Sequence, residues 1–194
     1  MDAESLPDVL AIALDVTSRL EHLDVPYVIG GSLASSVHGE PRATMDINVV
    51  ADLKPDSLER VVAILRPDYY VDGAAARDAV RTAGAFNAVH VHAGIKVDFF
   101  VAGADAFELE RLRTRVAVPV GTTPSQTLWI DTAEHTVLRK LEWYRRGGEA
   151  SDRQWRDVLA ILAVQGESLD RQALTRWASV LGVADLLARS MVDI

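Results

Sequence analysis

The stretch from residue 30 to residue 50, "GGSLASSVHGEPRATMDINVV", groups residue types that can bind phosphate and metal ions. It begins with Gly30, Gly31 and Ser32. Glycine lets the backbone approach a ligand closely, and a helix that starts here would direct free N–H groups and a partial positive charge at that ligand. The glycine turn is compatible with a phosphate site, although taken alone it favours a tight turn without a ligand.

Asp46 and Asn48 close the same stretch with two oxygen-bearing side chains. In a β-strand alternate residues share a face, so these two side chains would lie together, opposite Ile47 and Val49. Adjacent oxygen ligands suit a hard divalent cation such as Mg²⁺. An exposed edge strand with a solvated polar face is the alternative.

A third candidate ligand, Asp98, lies in the run "GIKVDFFV". There Lys96 and Asp98 would share one strand face, and Val97 and Phe99 the other. A carboxylate among apolar side chains is costly to bury unless a cation pairs with it, and either a metal ion or Lys96 could do so. If this strand lies beside that of Asp46, the two carboxylates form one cluster.

Short strands must position these residues. Alternating and β-branched runs predict strands at "VPYVIGG" and "MDINVVA", and a hairpin about Ala93-Gly94. The segment "RVAVPVGTTPSQTLWID" predicts a strand, a turn and a second strand. These strands place both candidate carboxylates in one sheet-containing part of the chain.

Helices accompany the strands and then replace them. Ser5 is predicted to cap the first helix, and from residue 132 onward the pattern is helical only, with caps at Thr132 and Ser151. We therefore expect an α/β domain at residues 1–131 and a C-terminal helical region at residues 132–194 that packs on it.

The bulk composition narrows the partners and the compartment. The net charge of −8 argues against extended duplex DNA binding, although a local basic patch could still contact RNA; its candidate members are Arg139, Lys140, Arg145 and Arg146. The absence of cysteine excludes disulfides and thiolate chemistry. Because no apolar run reaches membrane-spanning length and the N-terminus lacks a signal-peptide pattern, we expect a cytoplasmic protein without a membrane partner.

Taken in order, the candidate residues resemble the motifs of the nucleotidyltransferase superfamily of the DNA polymerase beta type. The resemblance rests on the glycines and serine, on the segment Arg42-x-Thr44-x-Asp46-x-Asn48 and on Asp98, and it covers residues 25–101. Within the superfamily, the sequence is most similar to small stand-alone bacterial proteins that include abortive-infection and toxin–antitoxin nucleotidyltransferases. The resemblance implies an α+β fold with a mixed β-sheet flanked by helices.

The resemblance also implies a role for each matching residue. Asp46, Asn48 and Asp98 would bind Mg²⁺ or Mn²⁺, and Asp98 could accept the proton of the attacking hydroxyl. For Arg42 a structural role is favoured. A nucleoside triphosphate would be held by residues of the turn and the following loop, namely Gly30, Gly31, Ser32, Arg42 and Thr44.

Two residues of the helical region match the family less closely. Lys140 is the natural match for a catalytic lysine of the toxin-like members, and Asp157 is a looser match for a further acid. A solvated helix face is the alternative interpretation for Lys140 and the favoured interpretation for Asp157.

Position 48 departs from the family pattern, which has a second aspartate there. The amide of Asn48 can ligate a cation but contributes no negative charge, so the repulsion between two Mg²⁺ ions would be offset less. The sequence predicts a nucleotidyltransferase that moves a nucleoside monophosphate from a nucleoside triphosphate to a hydroxyl of an RNA such as tRNA, a protein or a small molecule. The alternative is a catalytically weakened or inactive nucleotide-binding or protein-interaction member, with a cognate antitoxin or a second copy of the chain as partner.

Overall fold

The computed structural model describes residues 8–120 and 126–194, so the predicted Ser5 cap and the predicted turn at residues 121–125 lie outside it. Helices and strands first alternate, in the order α1 (Asp8–His22), β1 (Tyr27–Ile29), α2 (Gly31–His38), β2 (Asp46–Ala51), α3 (Pro55–Leu65), β3 (Tyr69–Val71), α4 (Gly73–Thr82), β4 (Ala85–His90), β5 (Lys96–Val101), α5 (Ala106–Thr114), β6 (Val116–Pro119) and β7 (Thr127–Ile130). The helices that follow are α6 (Ala133–Arg146), α7 (Asp152–Gln165), α8 (Arg171–Val180) and α9 (Ala184–Val192). Within the two described ranges, every helix is too short or too polar to cross a membrane.

The strands of the described chain form one mixed sheet in the order β3-β4-β5-β2-β1-β7-β6. β2 pairs in parallel with β5, β1 pairs in parallel with β7, and the other neighbours are antiparallel. β2 therefore lies inside the sheet, between β5 and β1. The α+β class and the mixed sheet flanked by helices are confirmed.

Internal contacts divide the chain into two compact units. Unit 1 comprises Met1–Gly30 and Thr44–Ile130, and it contains the whole sheet with α1, α3, α4 and α5. Unit 2 comprises Gly31–Ala43 and Asp131–Ile194, and it contains α2 and α6 to α9. The segment of residues 31–43, which we expected in the first domain, thus groups with the helical region. The domain division at residue 131 and the packing of the helices on the sheet stay predictions.

Unit 1 is held together by apolar side chains that follow the period of each element. α3 buries one face, formed by Leu58, Val61, Val62 and Leu65, at the three- and four-residue spacing of a helix. In β5 every second residue is buried, which is the two-residue period of a strand. The polar residues of β5 are thereby confined to a single face of the sheet.

In unit 2, capped helices carry the candidate residues of the C-terminal region. The side-chain oxygens of Thr132 and Ser151 each accept a hydrogen bond from the N–H three residues further on, at the starts of α6 and α7. Both predicted caps are confirmed.

The chain after α2 approaches α7 closely at Gly39, where a Cβ atom would lie 3.0 Å from the backbone nitrogen of Ile161. A side chain at position 39 would therefore push the two segments apart.

Candidate active site

The carboxylate face is a polar patch of the sheet that consists of Asp46 and Asn48 on β2 and Lys96 and Asp98 on β5. In the parallel register of these strands, Asp46 lies opposite Lys96, and Asn48 lies opposite Asp98. The residues between them on each strand are fully buried on the other side of the sheet. The predicted adjacency of the two strands is confirmed. An exposed edge strand is the wrong interpretation for β2, because β2 has a neighbouring strand on each side.

The carboxylate face is partly open to solvent, and its negative charges outnumber its positive charge. Asp46 is exposed, Asn48 is half-buried, and the side chain of Asp98 keeps 17% of its surface exposed. Nζ of Lys96 lies 2.9 Å from Oδ2 of Asp98. This hydrogen bond raises the pKa of Lys96, and the negative charges of Asp98 and Asp46 raise that pKa further. Two carboxylates and one ammonium give the face a net charge of −1.

The oxygen atoms of the carboxylate face fit one divalent cation by type. Carboxylate and amide oxygens are ligands that Mg²⁺ and Mn²⁺ prefer, and two paired strands supply them here from Asp46, Asn48 and Asp98. Across the described part of the chain, no group of three or more His, Cys, Asp or Glu could hold a metal ion, which agrees with a face that has two carboxylates and an amide. Since Lys96 already neutralises one carboxylate, the face suits one divalent cation better than two.

Two further residues border the carboxylate face. Oγ1 of Thr44 accepts a hydrogen bond from the N–H of Asp46 at 3.3 Å, so Thr44 shapes the segment that leads into β2. Asn87 of β4 lies opposite Asp98 in the antiparallel register and is exposed. Cross-strand partners point to the same side of a sheet, so Asn87 belongs beside the face. Asn87 was not among the predicted site residues, although residue alternation along the predicted hairpin would have set its amide on the same sheet face as Asp98.

The two glycines of the predicted phosphate turn differ in role. The N–H of Gly30 donates to the carbonyl oxygen of Asn48 at 3.0 Å and extends the pairing of β1 with β2. Gly31 has a φ of +63°, a left-handed conformation that disfavours residues with a side chain. The turn therefore requires glycine at position 31, and the sheet already uses the N–H of Gly30. Their part in holding a triphosphate stays a prediction.

The ion cluster of unit 2 consists of Ser32, Arg42, Lys140, Arg153 and Asp157. Arg42 donates to both oxygens of Asp157, from Nε to Oδ1 at 3.1 Å and from Nη2 to Oδ2 at 2.9 Å. Nζ of Lys140 donates to Oδ2 of Asp157 at 2.6 Å. Lys140 is only 6% exposed and Asp157 only 9% exposed. A solvated helix face is therefore the wrong interpretation for both residues.

The charges of the ion cluster do not cancel. Burial by itself would raise the pKa of Asp157, but hydrogen bonds from Arg42 and Lys140 outweigh it and hold that pKa below its ordinary value. Burial lowers the pKa of Lys140 in spite of its hydrogen bond to Asp157, and the charges of Arg42 and Arg153 lower it further. Three cations and one carboxylate leave the cluster with a net charge of +2.

Ser32 and Arg153 form the part of the ion cluster that suits an anion. Oγ of the buried Ser32 accepts a hydrogen bond from Nη2 of Arg42 at 2.8 Å and one from Nη2 of Arg153 at 3.0 Å. With its acceptor capacity so used, the hydroxyl of Ser32 can donate its own proton to a further acceptor. Arg153 is exposed, so a phosphate could reach it. Arg153 was not among the predicted site residues, because no family motif was matched at that position.

The basic residues of α6, which could have formed a local cationic patch, pair with acidic side chains. Lys140 is buried in the ion cluster, and the three arginines pair with acidic side chains: Arg139 with Glu142, Arg146 with Glu142, and Arg145 with Asp185. These acidic partners offset much of the positive charge of α6.

Comparison with known proteins identifies the fold. No protein-family model matches the chain, and no curated protein sequence matches it. Among solved structures, the antibiotic-resistance factor ANT(2'')-Ia matches with a TM-score of 0.57 and 12% identity, over 93% of this chain and 96% of its own. A nucleotidyltransferase-like protein from Paracoccidioides brasiliensis matches with a TM-score of 0.55 and 15% identity, over 95% of this chain and 93% of its own. The lincosamide antibiotic adenylyltransferase LnuA matches with a TM-score of 0.51 and 11% identity, over 83% of this chain and 99% of its own. The chain therefore has the nucleotidyltransferase fold, as the resemblance implied.

Proposed function

We propose that the chain is a nucleotidyltransferase that moves a nucleoside monophosphate from a nucleoside triphosphate to an acceptor hydroxyl with the help of Mg²⁺ or Mn²⁺. One observation carries the proposal: Asp46 and Asp98 lie on neighbouring parallel strands of a nucleotidyltransferase fold. Both carboxylates retain solvent access, which a metal-bound nucleotide needs in order to reach them.

In the proposed reaction, the acceptor oxygen forms a bond to the α-phosphorus, the bond from that phosphorus to the β-phosphate oxygen breaks, and pyrophosphate leaves. Asp46, Asn48 and Asp98 would hold the cation, and Asp98 would accept the proton of the acceptor hydroxyl. A bound divalent cation would neutralise part of the phosphate charge, and it would lower the pKa of a hydroxyl bound to it.

We assign the triphosphate contacts in unit 2 to Ser32 and Arg153. Ser32 has a hydroxyl proton to donate, and Arg153 has an exposed guanidinium. Lys140 and Asp157 are buried against each other and hold Arg42, which in turn holds Ser32. Lys140, which the resemblance implied as a catalytic residue, is therefore proposed here as a positioning residue.

A small molecule is the acceptor that the observations favour. ANT(2'')-Ia is known in complex with adenylyl-2''-tobramycin, and LnuA is known with lincomycin bound. The net charge of −8 and the paired arginines of α6 do not favour an RNA acceptor. A protein acceptor, a cognate antitoxin and a second copy of the chain as partner stay predictions of the resemblance.

A second candidate function is nucleotide binding without transfer. The amide at position 48 and the ion pair of Lys96 with Asp98 favour it, because both reduce the negative charge that would gather divalent cations. This candidate predicts that the chain binds a nucleoside triphosphate in the presence of Mg²⁺ and releases it unchanged.

A label-transfer assay tests the proposal. The protein is incubated with each α-³²P-labelled nucleoside triphosphate, Mg²⁺ or Mn²⁺, and separate pools of hydroxyl-bearing antibiotics, tRNA and protein extract. We expect label in the small-molecule pool, and a decrease of more than about a hundredfold for Asp46→Ala and Asp98→Ala, since even outer-shell partners of a metal contribute about 10–100-fold.

Asp52→Ala is the matched control. Asp52 directly follows β2, and its carboxylate pairs with Lys54 at 2.6 Å, outside the carboxylate face. We expect this variant to transfer label like the wild type. Metal-dependent nucleotide binding without transfer would support the second candidate, and the absence of both would overturn the proposal.

A further inference from the structure

We propose that Lys96 is a built-in counter-ion of the carboxylate face, which restricts the face to one divalent cation and makes binding of that cation depend on the nucleotide. This inference rests on the proposed function, because it concerns the same carboxylates. Its basis is the position of the lysine: Nζ of Lys96 lies 2.9 Å from Asp98, and the strand register sets Lys96 opposite Asp46.

The register places Lys96 between the two carboxylates that a metal would use. Asp46 is its cross-strand partner, and Asp98 is two residues further along the same strand and on the same side of the sheet. A divalent cation held by both carboxylates would therefore have to share Asp98 with the ammonium or displace it. Metal and ammonium compete for one carboxylate.

The side chain of Lys96 can make way for a cation. It keeps 44% of its surface exposed, whereas the side chain of Asp98 keeps 17% exposed. Asp98 thus needs a cationic partner when no metal is bound, and Lys96 is held by that one ion pair rather than by burial. Lys96 can move into solvent or towards a phosphate once a divalent cation neutralises Asp98.

The charge of the face sets how many cations it accepts. Two carboxylates and Lys96 sum to −1, and Asn48 adds no charge. A free divalent cation therefore meets little net attraction, and a second divalent cation beside the first would meet net repulsion. A nucleoside triphosphate brings its own negative charge, so the face binds its cation well only together with the nucleotide.

Binding of Mn²⁺, followed by the electron paramagnetic resonance of the free ion, tests the inference on the full chain without any turnover. We expect Lys96→Met to bind Mn²⁺ about tenfold more tightly than the wild type in the absence of nucleotide, because it removes one positive charge at a partly exposed site. Lys96→Arg keeps the charge and should keep the weak affinity of the wild type. In the presence of a non-hydrolysable nucleoside triphosphate, the difference in Mn²⁺ affinity between Lys96→Met and the wild type should become smaller.

The control and a second variant separate this inference from the proposed function. Lys54→Met removes a lysine from another carboxylate pair of unit 1 and should leave Mn²⁺ binding unchanged. Asn48→Asp adds a charge to the face and should also tighten Mn²⁺ binding; combined with Lys96→Met, it should allow a second ion. Tighter binding by Asn48→Asp but not by Lys96→Met would overturn the role of Lys96 and leave the metal site standing. Absence of Mn²⁺ binding in all variants, with and without nucleotide, would overturn both.

Discussion

The carboxylate face of unit 1 and the ion cluster of unit 2 both join acidic and basic side chains, but they differ in burial and in the sign of their net charge. The face has an exposed Asp46 and a net charge of −1. The cluster has a buried Asp157 and a buried Lys140, with a net charge of +2. One region is accessible to a cation, and the other presents its excess positive charge through Arg153.

This difference separates residues that serve a ligand from residues that serve the fold. Exposed ion pairs contribute little to stability, because water screens them and their side chains lose entropy on pairing. A buried pair is costly to break, because the remaining partner is left without a counter-charge away from water. Substitutions in the face should therefore affect ligands, and substitutions at the centre of the cluster should affect stability.

The largest effect is expected for Asp157→Ala. This variant leaves Lys140 and Arg42 without their carboxylate, so the free energy of unfolding should decrease by about 4 kcal/mol, measured by urea denaturation. Asp152→Ala, at the exposed start of the same helix, should decrease it by less than about 1 kcal/mol. Equal effects of the two variants would mean that the ion cluster does not stabilise unit 2.

The pH dependence of that stabilisation follows from the lowered pKa of Asp157. The unfolded chain takes up this proton near pH 4, while the folded chain takes it up only at lower pH, so the contribution of Asp157 is complete above about pH 4 and is lost as the pH falls through the lowered pKa. The difference in unfolding free energy between wild type and Asp157→Asn should be about 3 kcal/mol at pH 7 and should shrink in acid. A difference that stays constant down to the acid limit of folding would contradict this account.

Arg153→Ala probes the exposed margin of the ion cluster. A charge-assisted hydrogen bond contributes about 1.5–3 kcal/mol, so loss of this guanidinium should weaken nucleoside triphosphate binding by about tenfold in a calorimetric titration. Arg156→Ala removes another exposed arginine of α7, which donates a hydrogen bond to a backbone carbonyl of the preceding turn, and should bind the nucleotide like the wild type. Identical losses in the two variants would indicate general electrostatic attraction instead of a contact by Arg153.

The smallest effect on stability is expected for Asp46→Ala. Asp46 is exposed, and its neighbours along and across the strand pair lie on the same solvated face, so the free energy of unfolding should change by less than about 0.5 kcal/mol. A decrease of several kcal/mol would show that Asp46 stabilises the fold. It would contradict the expectation that substitutions in the carboxylate face affect ligand binding and not stability.

The carboxylate face could be predicted from the sequence, because its members stand two residues apart on strands whose alternate residues are apolar. The two-residue period of a strand is sufficient to predict that Asp46 shares a face with Asn48, and Lys96 with Asp98. The pairing of Asn48 with Asp98 depends on the long-range register of β2 and β5, which periodicity does not contain. The mixed character of the sheet was predicted only through the family resemblance.

The ion cluster could not be predicted, because its contacts join distant parts of the chain. Arg42 and Asp157 are 115 positions apart, and each alone has the residue type of an ordinary surface position. The cluster becomes visible only when these side chains are found paired and shielded from water. That burial depends on how α2, α6 and α7 pack within unit 2. Lys140 shows the same limit, since helical spacing alone was compatible with a solvated face.

Parallel reactions with α-³²P-labelled and γ-³²P-labelled nucleoside triphosphate test the central claim most directly, because they show which phosphorus is attacked. With Mg²⁺ or Mn²⁺ and an acceptor, we predict that the α-label joins the acceptor, that the γ-label leaves as pyrophosphate in equal amount, and that both processes are lost in Asp46→Ala while the variant stays folded. Transfer of the γ-label to the acceptor, release of inorganic phosphate in place of pyrophosphate, or unchanged transfer by Asp46→Ala would contradict the account.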